Sequence, residues 1–255
     1  MLKTRVIPVM LWKDGGLVKG RGFDHSRNVG AVLPAVKVYN ARDVDELVLV
    51  DVAASLSNKS PRYAEIEWFA RECNVPLAVG GGIRSEEHIE LVLRAGADKI
   101  LLNSAAYEQP ELIDRAAKNF GSQCVVVSID YRIIDGTPVC FSHAGTVNRR
   151  LSVDDWARRV EELGAGEILL TDCSRDGMML GYDNETVARI VNLVGVPVIA
   201  SGGAGRLEDF LEVLTVGRAN AVAAGSVFHF TEITPREIKE HLGSAGIPVR
   251  LGLAQ

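Results

Sequence analysis

Apolar residues along this chain follow two alternating rhythms. Short runs dense in Val, Ile, Leu and Ala fall at 5–11, 46–51, 77–79, 99–102, 124–130, 167–171, 196–200 and 221–224. Each is followed by a longer stretch near 31–44, 63–73, 85–95, 110–119, 152–163, 184–193, 206–216 and 235–242, where apolar positions recur every three to four residues. A short, near-continuous apolar run predicts a strand buried on both faces, and the longer rhythm predicts an amphipathic helix. Eight strand–helix units in succession predict a parallel sheet covered by helices.

The pattern also repeats. V-P-L-A-V-G-G-G-I at 75–83 returns 121 positions later as V-P-V-I-A-S-G-G-A-G at 196–205. Val75, Pro76, Gly81, Gly82, Glu87, Leu93 and Gly96 correspond to Val196, Pro197, Gly202, Gly203, Glu208, Leu214 and Gly217. Upstream, D-E-L-V-L-V-D ending at Asp51 corresponds to G-E-I-L-L-T-D ending at Asp172, so Glu46 matches Glu167. Two similar halves, about 1–120 and 121–255, with no linker or low-complexity tract, predict one α/β domain. The closed (β/α)8 TIM barrel, built from two half-barrels, is the expected fold, and a doubly wound open sheet is the alternative.

In both halves a glycine cluster follows a strand and opens a helix. Bare backbone N–H groups and the helix dipole suit an anion there, although tight turns alone also use such glycines. Two strand-to-helix connections are long. One, 12–30, is rich in Gly and charge; the other, 131–151, contains a small hairpin around Asp135-Gly136. Both are expected on the strand-exit face, where long loops act as lids.

Composition narrows the setting. At 255 residues and 47% hydrophobic content the chain can bury a large core, and a net charge of −5 offers no basic face for nucleic acid. Cys73, Cys124, Cys140 and Cys173 form no C-x-x-C pair and read as reduced thiols. The apolar run at 6–12 is too short to span a membrane. A cytoplasmic protein without membrane, metal or cofactor is expected.

The motifs resemble the cyclase subunit of imidazole glycerol phosphate synthase over nearly the whole chain. They include R-V-I-P at 5–8, K-D-G at 13–15, V-K-G at 18–20, V-G-G-G-I at 79–83 and A-D-K at 97–99. The second half adds F-G-S-Q at 120–123, G-A-G-E-I-L-L-T at 164–171, R-D-G at 175–177, I-A-S-G-G-A-G at 199–205 and S-V-F-H-F at 226–230. The resemblance implies a lyase-type synthase subunit that pairs with a glutaminase and binds a ligand carrying a phosphate at each end. Gly82, Asn103 and Ser104 would hold one phosphate. Asp176, Gly177, Gly203, Ala204, Ala224 and Ser226 would surround the other, with Lys19 closing over it. Gly225 reads as an insertion in this second turn, where the family pattern runs directly from Ala to Ser. At the opposite end, Arg5, Glu46, Lys99 and Glu167 would form a gate for ammonia, with strand-capping salt bridges as the plainer reading. Asp98 and Trp156 would meet the glutaminase.

One departure falls in the chemistry. The resemblance calls for two catalytic aspartates, at the ends of strands 1 and 5. Asp130 supplies one, but the other position holds Leu11, which can move no proton. Trp12, Ser174, Met178 and Met179 also depart from the family pattern and are expected to make the same rim more apolar. Relatives lacking the strand-1 aspartate supply ammonia with a sugar amidotransferase to amidate a surface-polysaccharide sugar, and that reading is favoured. A genuine cyclase of histidine biosynthesis and a non-catalytic scaffold that activates the glutaminase are the alternatives.

Overall fold

The computed structural model describes residues 3–252. Twelve strands form one sheet: β1 (Arg5–Lys13), β2 (Gly16–Arg21), β3 (Asp24–Gly30), β4 (Leu47–Asp51), β5 (Leu77–Gly80), β6 (Lys99–Leu102), β7 (Val125–Ile134), β8 (Thr137–Ser142), β9 (Val147–Ser152), β10 (Glu167–Asp172), β11 (Val198–Ser201) and β12 (Ala221–Ala224). Eight of them pair in parallel around a closed circle, β1-β4-β5-β6-β7-β10-β11-β12, with β12 returning to β1. The fold is the (β/α)8 barrel, and the open-sheet alternative is excluded by the β12–β1 and β7–β10 pairings.

Two apolar layers hold it. Ile7, Val48, Ala78, Leu101, Val126, Leu169, Ile199, Ala221 and Ala223 fill the barrel interior. The alternate residues of the same strands, such as Val6, Met10, Leu47, Leu49, Ile100 and Ile168, face the helices. Burial on both faces explains why the strands read as continuous apolar runs. The helices begin where local chemistry satisfies their free N–H groups. Ser85, Ser152, Asp183 and Thr234 accept from the N–H three residues on, and Thr234 forms a reciprocal box with Glu237 ahead of Pro235.

The two long connections carry more order than expected. β1 runs on to Lys13, turns at Asp14-Gly15, and pairs antiparallel with β2, which turns at Gly22-Phe23 into β3. Both turn residues have positive φ in each case (48° and 87°, then 60° and 70°), the geometry of two-residue hairpin turns. The D-G pair at 14–15 carried this signal, hidden in a stretch that reads as a glycine-rich loop. In the second half Asp135-Gly136 turns β7 into β8 as expected, and β9 adds a strand beyond that hairpin.

Candidate functional site

Strand alternation fixes what faces inward. Along β1 it sends Arg5, Ile7, Val9 and Leu11 to one side. At the floor Arg5 opens β1, Glu46 precedes β4, Lys99 opens β6 and Glu167 opens β10. These four close a ring. Arg5 Nη1 lies 2.6 Å from Glu46 Oε2 and its Nη2 lies 2.9 Å from Glu167 Oε1, while Lys99 Nζ reaches the same two carboxylates at 2.9 and 3.2 Å. Such burial is costly unless every charge is paired. Here each cation bridges both anions. Burial opposes the Arg5 charge, but Glu167 and Glu46 outweigh it and hold its pKa above the ordinary value. Glu46 Oε1 is buried without a hydrogen-bond partner.

Asp98 sits beside the ring on the exposed floor face, its Oδ2 accepting from the Leu77 N–H at 2.9 Å. Trp156 does not join it. It lies in the first turn of the helix Val153–Glu162, only 4% exposed, stacked on Tyr107 with ring centroids 4.6 Å apart. A ring so buried offers no surface to a glutaminase, which corrects the expectation for Trp156.

A cleft opens at the other end, over the strand exits. All ten residues expected around phosphates line it: Lys19, Gly82, Asn103, Ser104, Asp176, Gly177, Gly203, Ala204, Ala224 and Ser226. Its deepest walls, Leu101 and Leu169, belong to the apolar layer that lies above the charged ring. Leu11 and Asp130 both line it too. Asp130 accepts from Ser128 Oγ at 3.0 Å, a partner that S-I-D spacing places on the same face of β7. Burial pushes the Asp130 carboxyl up to about 7, against the Ser128 hydrogen bond, and Asp176 adds to the push. A carboxyl poised there can give and take protons near neutrality.

The apolar rim expected around Leu11 is not built. Trp12 points outward, 3% exposed, edge-on to Phe69 and under the Arg62 guanidinium. Ser174 and Met178 are exposed, and neither they nor Met179 line the cleft. The alternation that turns Leu11 inward turns its neighbour out. Leu11 is thus the one of these departures that reaches the cleft.

The glycine loops mirror each other. Asp51 Oδ1 accepts from the N–H groups of Ala53 and Ala54, and Asp172 Oδ1 from those of Ser174 and Arg175. A Cβ at Gly81 would lie 2.4 Å from the Asp51 carbonyl oxygen, and one at Gly202 would lie 2.6 Å from that of Asp172. Gly82 and Gly203 are pressed in turn against the carbonyls of Lys59 and Gly181, at 2.5 and 2.1 Å for an added Cβ. Packing alone therefore demands glycine at all four positions. Asn103 donates to the Ser128 carbonyl at 3.1 Å, and Ser104 Oγ accepts from the N–H of His143 at 3.1 Å. His143, held at φ 52°, lines the cleft, and no sequence pattern pointed to it.

Lys19 reaches into the cleft from β2, 3% exposed, and donates to the Val9 carbonyl at 2.7 Å. Burial pulls its ammonium down to about 8, and Asp176 partly restores it. Burial raises the Asp176 carboxyl, and Lys19 pulls it back. Within the repeat, Gly225 is not an extra residue. β6 is followed by Asn103 then Ser104, and β12 by Gly225 then Ser226, so Gly225 is the counterpart of Asn103. The extra residue comes earlier. Three steps separate Gly96 from Lys99 at the start of β6, and four separate Gly217 from Ala221 at the start of β12, with Arg218 in a left-handed conformation between.

An eight-stranded barrel with a cleft over its strand exits has its candidate site on the face where enzymes of this fold carry theirs. The chain belongs to the histidine biosynthesis protein family, which it matches over residues 5–234. Curated relatives called imidazole glycerol phosphate synthase subunit HisF are similar along the full length. That of Chlorobium luteolum is 45% identical over 251 residues, covering 98% of this chain and all of the relative. Those of Saccharolobus solfataricus and Cytophaga hutchinsonii are each 42% identical over 251 and 250 residues, with the same coverage.

Proposed function

We propose that this chain is the synthase-side barrel of a glutamine amidotransferase. It takes ammonia from a partner glutaminase at the floor and delivers it through the apolar interior to a phosphorylated acceptor in the cleft. The observation that carries this reading is the closed ring of Arg5, Glu46, Lys99 and Glu167 beneath an apolar layer that the cleft reaches from above. Neutral ammonia crosses an apolar layer at lower cost than ammonium, because burying an unpaired charge is expensive. In this reading Asp98 contacts the glutaminase.

The names of the relatives favour ring closure on the histidine-pathway ribonucleotide as the acceptor reaction, with Asp130 as its proton-transfer group. Gly82, Asn103 and Ser104 would take one phosphate; Gly177, Gly203, Ala204, Ala224 and Ser226 the other, with Lys19 as its cation. Leu11 favours a second reading, in which ammonia passes to a sugar amidotransferase for amidation of a surface sugar. Purified protein with that ribonucleotide and excess ammonium, followed by loss of substrate, separates the two. An ordinary cyclase rate sinks the sugar reading. No turnover, together with amidated sugar formed when glutaminase and sugar amidotransferase are added, sinks the cyclase reading.

The phosphate sites have their own test. Inorganic phosphate at millimolar concentration should raise the melting temperature by simple linkage, and Lys19→Met should reduce that rise. The absence of any rise removes the phosphate assignments.

A further inference from the structure

The β2–β3 hairpin lies over the second-half loops, and it touches them where they carry no side chain. A Cβ at Gly177 would fall 1.9 Å from the Gly20 carbonyl oxygen, and one at Gly145 would fall 2.9 Å from the Phe23 ring. The hairpin tip is tied down by Gly22, whose N–H donates to the Asp176 carbonyl at 2.8 Å and whose carbonyl accepts from Arg132 at 3.2 Å. The third contact involves a charge: a Cβ at Gly225 would fall 2.0 Å from Lys19 Nζ.

We infer that Gly225 is a positioning residue: the space left by its missing side chain is the seat of the Lys19 ammonium, and a seated Lys19 holds the hairpin shut over the second glycine loop. The seat has two walls: the Val9 carbonyl accepts a hydrogen bond from the ammonium, and the Gly225 backbone closes the side that a Cβ would fill, while the charge of Asp176, on the loop after β10, favours the ammonium. His229, from the helix Val227–Phe230, feels the same cation, and burial followed by Lys19 and Arg42 pulls its pKa down to about 4. Gly225 does not have the left-handed backbone that resists side chains. An added methyl there meets the flexible end of a lysine first, with the Val9 carbonyl at 3.0 Å, so the lysine gives way rather than the strand. The seat itself exists without ligand; only the service of the seated ammonium to a phosphate rests on the proposed function.

The test is limited trypsin digestion of the full chain, with cleavage after the exposed Arg21 followed by mass. A buried hydrogen bond from a charged donor is worth enough that its loss raises the open population about tenfold. Gly225→Ala should therefore speed cleavage after Arg21 by about tenfold, with melting of the barrel changed by less than about 3 °C. Lys19→Met should do the same, and the double variant should be no faster than either single one, because both remove one contact. In side-chain NMR, Lys19 should titrate near 8 in the wild type and move toward the ordinary value of about 10.4 in Gly225→Ala. Unchanged cleavage in both single variants, or a double variant showing the product of their effects, overturns the inference. If Gly225→Ala unfolds the barrel, Lys19→Met decides alone, since it leaves the strand intact: unchanged cleavage overturns the seat. Phosphate failing to raise the melting temperature would remove the ligand reading and leave the digestion result standing.

Discussion

The floor and the rim of the barrel hold charges in the same apolar cylinder, yet they treat them oppositely. At the floor two cations and two carboxylates neutralise one another within 2.6–3.2 Å, and the ring is complete without any ligand. At the rim Asp130 has a hydroxyl from Ser128 as its partner and Leu11 on the strand-1 side, so burial lifts its carboxyl to about 7. Glu46 and Asp130 are both buried, but Glu46 meets two cations and Asp130 a hydroxyl, so the difference between them lies in pairing. A paired set is a fixture, whereas an unpaired carboxyl is held in tension and keeps its proton available.

The largest expected effect strikes the rim. With one proton-transfer group missing at Leu11, turnover of the cyclase substrate with excess ammonium should lie about 10²–10⁴-fold below that of an intact pair. Because Trp12, Ser174, Met178 and Met179 stand outside the cleft, Leu11→Asp alone should recover much of that factor. Wild-type turnover at an ordinary rate would erase the contrast between the two ends.

At the floor, Lys99→Ala breaks two of the four ion pairs while Arg5 still bridges both glutamates. In complex with the glutaminase, amidated product per glutamine hydrolysed should fall severalfold from near one, with hydrolysis continuing and free ammonium restoring product. A ratio that holds steady while the barrel merely melts lower makes the ring a structural clasp.

Asp130→Asn sharpens the comparison through stability. Its folded pKa of about 7 is raised above the unfolded value, so the carboxyl favours folding below about 4 and that contribution is lost as pH rises through 7. The variant should therefore be more stable than wild type at pH 8, by up to about 4 kcal/mol less the lost Ser128 bond, and show little gain at pH 4. Urea unfolding at the two pH values measures it; equal gains at both would mean that charge burial is not the cause.

The smallest effect is expected at Trp156. Trp156→Phe removes a buried indole N–H that has no partner and keeps a ring on Tyr107, so stability should change by less than about 1.5 kcal/mol. Affinity for the glutaminase should not change. A tenfold loss of affinity would return Trp156 to the interface.

Periodicity carried most of the barrel, because strands buried on both faces and helices buried on one leave distinct rhythms. The floor ring came from the resemblance, and the repeat by itself related only Glu46 to Glu167. What it missed needed three dimensions. Trp12 looks like a rim residue until pleating turns it outward beside an inward Leu11. That Gly225 holds the place of Asn103 shows only when strand ends are counted. The hairpin of 16–30 was visible only as glycine and charge, although Asp14-Gly15 is a hairpin turn by type.

The hairpin meets its neighbours at bare backbone in Gly177 and Gly225, and a single added methyl at either place would overlap the lid. Neither glycine lies within the hairpin it accommodates. The lid and the rim it covers are thus bound to vary together, much as a key and its wards are cut as a pair. A hairpin transplanted from a relative would fit this barrel only if its backbone follows the same path over Gly177 and its side chain at the place of Lys19 suits the space at Gly225. Conversely, loops of the second half grafted elsewhere would carry a tolerance for a lid that the recipient lacks.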